Sequence, residues 1–200
     1  MLLFDQFYND NAVQSAIETI LDRLNFYQKN ISSVKSSHSD YDDDFSSLLK
    51  QIESVKGSLL FPYLSSGLGH GAYVECADGS IKLDFISGIG VHWSHSDPRL
   101  IRSSLYGALH DCVMQGNLQQ HRGSVPLYNV LATVSGFDHV FLTSSGVMGV
   151  ENALKLCFQY TFPAKRILSF SNCFCGRTLA AASITDKAHY REGLPTVLPV

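Results

Sequence analysis

The sequence predicts an α/β fold: an N-terminal helical extension, then a β-hairpin, then the opening of a mostly parallel sheet. Three observations predict it. Apolar residues recur at helical spacing through the first quarter of the chain. Asp78-Gly79 separates two short apolar runs, the strongest short-range hairpin signal. Between His139 and Phe170 a strand-like run, a helical stretch and a second strand-like run follow one another at the spacing of a βαβ unit.

The 200 residues are 45% hydrophobic and 16% charged, enough to build a core without staples and too apolar for disorder throughout. The net charge of −3 excludes a global basic field, so no nucleic-acid partner is expected. Residues 1–56 hold nine acids and five bases, so the acidity belongs to the N-terminal quarter. Five cysteines at scattered positions, with no CxxC pair, indicate neither a disulfide framework nor a zinc ribbon. A reducing compartment fits them. The opening MLLFDQFYND has acids where a signal peptide carries bases, and no apolar run is long enough to cross a bilayer. A cytoplasmic protein with no membrane partner is expected.

In chain order, Val13, Ile17, Ile20, Leu21, Leu24 and Tyr27 form one helical stripe after the cap-like Asn9–Asn11 stretch. Phe45, Leu48, Leu49, Ile52 and Val55 form a second. The Ser- and Asp-rich residues 32–47 between them read as a solvated linker; Asp40 and Asp42–Asp44 lack the glycine and closing Glu of a calcium loop. The body begins near Gly57. Tyr73–Cys76 and Ile81–Phe85 are the hairpin strands, and the many glycines around them mark turns or close backbone contacts. Gly67-Leu68-Gly69-His70-Gly71 lacks the spacing of a dinucleotide fingerprint. Asp97-Pro98 starts a helix whose apolar face runs through Leu100, Ile101, Leu105, Leu109, Cys112 and Val113. Pro126 starts the next, ended by Gly136. Then come the strand His139–Thr143, a helix from Val147 to Tyr160, and the strand Arg166–Phe170. Three domains are expected: residues 1–56, 57–97, and 98–200 as the first part of a large domain.

The turn Ser145-Gly146-Val147 is the most informative place. Ligands of parallel α/β sheets bind beyond the carboxyl ends of strands, and the first N–H groups of the following helix carry partial positive charge. A phosphate cradle and a plain helix cap are both consistent with this turn. The second strand leads into Phe174 and Arg177. Phe174 can stack on a flat ring or fill the core; Arg177 can grip a carboxylate through two parallel hydrogen bonds or lie on the surface. His92, His95 and His121 have no carboxylate or cysteine to complete a metal set, so no metal is expected. Cys173 and Cys175 read as thiols buried near a pocket, with redox activity as the alternative. Glu151 and Lys155, four apart on a helix, read as an exposed or packing pair.

These segments carry a resemblance. Gly71-Ala72-Tyr73-Val74, Asp78-Gly79, Leu83-Asp84-Phe85, Ser87–Val91, His95–Pro98, Ser145-Gly146 with Glu151, Ala153, Leu154 and Lys155, and Phe174–Thr178 resemble, in order, the N-terminal half of a class III, fold-type I aminotransferase. This group includes the ornithine, acetylornithine and 4-aminobutyrate aminotransferases. The resemblance implies pyridoxal 5′-phosphate as cofactor, with its phosphate held by Ser145, Gly146 and Val147, its ring stacked on Phe174, and a substrate carboxylate on Arg177. It implies transfer of an amino group from an amino donor to a 2-oxo acid, and a homodimer. An aminomutase or racemase of the same fold is a further alternative. Met148, Gly149, Ser94 and Cys175 depart from the family pattern. The Schiff-base lysine of the family belongs downstream of the matched segments; Lys155, Lys165 and Lys187 do not match it. No catalytic residue is therefore assigned. The chain is expected to be a truncated product, a non-catalytic remnant, or one half of a split enzyme that acts with a separate C-terminal half.

Overall fold

In the computed structural model, which describes residues 1–91, 93–111, 113 and 119–200, contacts group the chain into two units, residues 1–114 and 115–200. His92 and Cys112, singled out above, lie outside the described residues.

The first unit opens with α1 (Leu3–Tyr8) and α2 (Asn11–Gln28). Asp10 caps α2, its Oδ1 accepting from the Ala12 N–H at 2.8 Å. Ile17 and Leu21, one turn apart on the predicted stripe, are buried. α3 (Asp42–Lys56) follows, with Asp42, Asp43 and Asp44 in its first turn, where the helix dipole favours negative charge. The linker expected over residues 32–47 is shorter, since residues 42–47 belong to α3; the part before it is mostly exposed, yet it is tied to the hairpin. Lys35 exchanges backbone hydrogen bonds with Ile81 at 2.9 and 3.0 Å, and the His38 N–H donates to the Asp78 carbonyl at 2.9 Å.

The hairpin forms where Asp78-Gly79 placed it, between β2 (Tyr73–Cys76) and β3 (Ile81–Leu83), which follow β1 (Ser65–His70). Gly79 has φ 75°, and Asp78 Oδ1 accepts from both the N–H and the hydroxyl of Ser80, at 2.9 and 2.6 Å. β1 pairs antiparallel with β2, a strand that the glycines of SSGLGH concealed. Its Gly69 is a close approach: a Cβ there would lie 2.4 Å from that of His95.

A short turn, α4 (Ser87–Gly90), leads to α5 (Pro98–Ala108), capped by Asp97 as predicted but ending at Ala108, short of Leu109 and Val113. α5 packs on α2. Arg102 donates to both carboxylate oxygens of Glu18, and the Tyr106 hydroxyl donates to Gln14. The buried Gln28 donates to the Gly69 and Ser96 carbonyls at 2.7 and 2.8 Å, so α2 is joined to β1 as well.

The second unit contains α6 (Ser124–Ser135), α7 (Gly146–Tyr160), α8 (Leu179–Ile184) and α9 (Ala188–Arg191). α6 begins two residues before Pro126 and ends, as predicted, at Gly136 in the left-handed conformation. Here the structure corrects one expectation. Residues 139–143 and 166–170 do not pair; the three-stranded antiparallel sheet of the first unit is the sheet among the described residues. Parallel strands are stable when buried on both faces between neighbours and helices. Phe141, Leu168 and Phe170 are instead 62%, 91% and 80% exposed, and the Ile167 N–H donates to the Pro199 carbonyl.

Candidate functional site

The site is built on the start of α7 and on the loop leading to α8. Ser145 is the N-cap of α7. Its extended backbone turns the side chain back, and Oγ accepts from the Met148 N–H at 3.3 Å. The Thr143 hydroxyl donates to the Ser145 carbonyl at 3.0 Å and fixes the turn. The N–H groups of Gly146 and Val147, at the first two helical positions, have no intrahelical acceptor and carry the positive end of the helix. A Cβ on Gly146 would meet nothing within 4 Å, so the space beside this backbone is open.

The loop from Cys173 to Thr178 is held by two contacts to α7 and one to the end of α8. Gly176, at φ 136°, lies so close to Val147 that a Cβ would come within 2.2 Å of Val147 Cγ2. Thr178 caps α8 and donates its hydroxyl to a Glu151 carboxylate oxygen on α7. The fully buried Thr185 accepts from the Cys175 N–H at 3.0 Å, with its Oγ1 3.1 Å from the Gly176 and Ala181 carbonyls.

These contacts open a cleft of about 680 Å³ lined by Gly146, Val147, Val150, Phe174, Cys175, Gly176, Arg177 and Thr178. Four of the five predicted site residues are thus brought together. Ser145 sits one residue ahead of this wall, with its Oγ accepting from Met148 and its own hydroxyl proton left over. Phe174 is 56% exposed, and its ring meets Tyr190 in an edge-type contact with 5.5 Å between centroids. Arg177 is exposed, and no carboxylate among the described residues pairs with it.

Glu151 turns to Thr178, which differs from the pairing with Lys155 expected above. Lys155 lines a separate cavity of about 390 Å³ with Phe141 and Thr143. Sequence reasoning assigned no role to Thr185 or Tyr190. The signal for Thr185 was absent, because its importance lies in burial beneath a loop ten residues upstream. His95 Nε2 lies 3.0 Å from Asp84 Oδ2, and His121 Nδ1 accepts from the Gly123 N–H. Backbone N–H groups of Ser87 and Ile86, with His95, hold the Asp84 carboxyl below its usual range. Among the described residues no group of three or more His, Cys, Asp and Glu could hold a metal ion, and no helix is long and apolar enough to cross a membrane.

The model of the class III aminotransferase family matches residues 61–200. A LysW-aminoadipate semialdehyde/glutamate semialdehyde transaminase of Pyrococcus furiosus is 34% identical over 132 residues, covering 66% of this chain and 36% of the relative. An acetylornithine aminotransferase of Archaeoglobus fulgidus is 34% identical over 134 residues, covering 66% of this chain and 35% of the relative. The crystal structure of ornithine aminotransferase from Toxoplasma gondii superposes with a TM-score of 0.68 at 22% identity, over 78% of this chain and 38% of that one. The chain therefore belongs to the class III, pyridoxal-phosphate-dependent aminotransferase family, and its fold is that of the N-terminal part of such an α/β enzyme. It spans about a third of the length of the curated relatives it matches.

Proposed function

We propose that residues 115–200 form the phosphate and ring end of a pyridoxal-phosphate site, within an enzyme that moves an amino group from an amino donor to a 2-oxo acid. The observation that carries this reading is the convergence of Gly146, Val147, Phe174 and Arg177 on one cleft. Its donor set suits the cofactor. Two helix-start N–H groups and the Ser145 hydroxyl proton match a phosphate, and the exposed Phe174 face matches a pyridine ring. When bound, pyridoxal phosphate supplies an electron sink for charge developing beside the substrate nitrogen.

The chain's own residues bind and orient. Gly146 and Val147 hold an anion through backbone N–H groups, so no side chain has to move to meet it. Phe174 sets the plane of the ring. Arg177 offers a planar fork to a substrate carboxylate, as a point charge does not. Thr185 and Gly176 keep Phe174 and Arg177 in register with the start of α7. A homodimer in the cytoplasm is part of the same proposal, by analogy with the family.

The exposed Phe141, Leu168 and Phe170 are apolar area that further polypeptide, of this chain or another, would cover.

The test is pyridoxal phosphate binding, followed by its absorbance and by calorimetry, for the 200-residue chain and for Gly146→Val. A Cβ there enters open space, so the fold is expected to stand. Weaker binding of both pyridoxal phosphate and inorganic phosphate at unchanged Tm is the expected result. Unchanged affinity rejects the cradle.

A further inference from the structure

Cys173 and Cys175 flank Phe174, and the roles described above do not use their sulfurs. Neither is in a disulfide, both are partly exposed, and a single residue separates them along the chain. Cys173 Sγ lies 3.1 Å from Ser169 Oγ and 3.1 Å from the Ile184 carbonyl, to which the thiol donates. Ser169 also donates to that carbonyl, at 2.9 Å, and can turn its hydroxyl to the sulfur when the thiol ionises. This contact with Ser169 holds the Cys173 thiol below its usual value, while burial pushes the Cys175 thiol up. The pair is therefore asymmetric: one sulfur is prepared to ionise and attack, the other stays protonated beside it. The remaining described cysteines differ. Cys76 is buried in the hairpin, and Cys157 is exposed on α7.

We propose that Cys173 and Cys175 are a peroxide-sensitive dithiol that closes into a 173–175 disulfide and shifts Phe174 out of the cleft. The Cys173 thiolate attacks one peroxide oxygen and the O–O bond breaks. The products are a sulfenic acid and hydroxide, which takes up the proton released by Cys173 and becomes water. The Cys175 sulfur then attacks the sulfenic sulfur; the S–O bond breaks, and the departing hydroxyl leaves as water with the Cys175 proton. Two thiols are oxidised and one peroxide is reduced to two waters. One residue separates the sulfurs, so the new bond must be accommodated by the backbone of Phe174. The flanking positions are tied down, Cys173 by the Asp186 N–H on its carbonyl and Cys175 by Thr185. The consequence for cofactor binding rests on the site proposed above; the chemistry of the thiols does not.

The experiment treats the 200-residue chain with hydrogen peroxide, blocks free thiols with N-ethylmaleimide and maps the peptides by mass spectrometry. The expected peptide containing both residues has lost two hydrogens, resists the maleimide, and regains two reactive thiols with dithiothreitol. In Cys175→Ser, dimedone traps a sulfenic acid at Cys173. Two maleimide-labelled thiols after peroxide, or a link from either residue to Cys157 or to a second chain, overturn the proposal. Pyridoxal phosphate affinity is measured on the same samples. It falls about tenfold on oxidation, recovers with dithiothreitol, and is insensitive to peroxide in Cys173→Ser. An intact link with unchanged affinity overturns the displacement of Phe174. A reduced chain that binds no pyridoxal phosphate overturns the cofactor reading instead, and the dithiol is then decided by the mapped link alone.

Discussion

At the scale of the residue, Gly176 and Val147 show how closely the site depends on single side chains. Gly176 has a backbone conformation that side chains avoid, and Val147 occupies the space a Cβ would need. Gly176→Ala is expected to cost about 1–3 kcal/mol of stability through overpacking. It should also weaken pyridoxal phosphate binding, because the loop carrying Phe174 and Arg177 must move off α7. The double variant Gly176→Ala/Val147→Ala removes the contact with Cγ2 but keeps the Cβ at 147 and the backbone strain at 176, so it should recover only part of the lost Tm in thermal denaturation. Equal Tm values for the single variant and the parent chain would show that the loop has room to spare. The sequence pointed to Gly176 only as part of a family-like segment. Its need for glycine comes from a neighbour twenty-nine positions upstream, as the numbering shows.

At the scale of the element, α7 is joined to the cap of α8 by the Thr178–Glu151 hydrogen bond. α7 has no buried residue, whereas α8 buries Ala181, Ala182, Ser183 and Ile184. Thr185, directly after α8, is therefore the anchor of the site loop. Thr185→Val keeps the shape and removes the hydroxyl, leaving the Cys175 N–H unpaired. A loss of about 1–3 kcal/mol is expected, with faster hydrogen exchange at the Cys175 amide. Thr185→Ser should restore the protection, and unchanged exchange in Thr185→Val would assign the anchoring elsewhere. Cap residues were legible in advance: Asp97-Pro98 and Gly136 announced helix ends by local chemistry alone. Strand pairing at residues 139–143 and 166–170 was not. Short apolar runs show that a segment favours an extended backbone, but a ladder also needs neighbours that bury both faces.

At the scale of the whole molecule, the two units should respond differently to acid. Asp97 is held at about 2 by its hydrogen bonds from Arg99, and Asp84 is held below its usual range. An unfolded aspartate titrates near about 3.9. The folded form therefore binds the proton less tightly than the unfolded one. The stability these carboxylates contribute is complete above about pH 4 and is lost as the pH falls towards 2. Both residues lie within residues 1–114, so acid denaturation followed by hydrogen exchange should open that unit's α5 cap and hairpin region over this window. Asp97→Asn should flatten the dependence. An acid profile unchanged by that variant would show that the cap does not govern it.

The sequence by itself determined the longer helices α2, α3, α5, α6 and α7, the Asp78-Gly79 hairpin, the Asp97 and Gly136 caps and the family, because each is written in local spacing and in the order of short segments. It also named Gly146, Val147, Phe174 and Arg177 as candidates for one site. Only the tertiary structure decided that these four line a common cleft, that Glu151 joins its two sides through Thr178, and that Thr185 anchors the loop on α8. Those relations join residues from nine to about thirty positions apart through burial and hydrogen bonding, which no local pattern encodes.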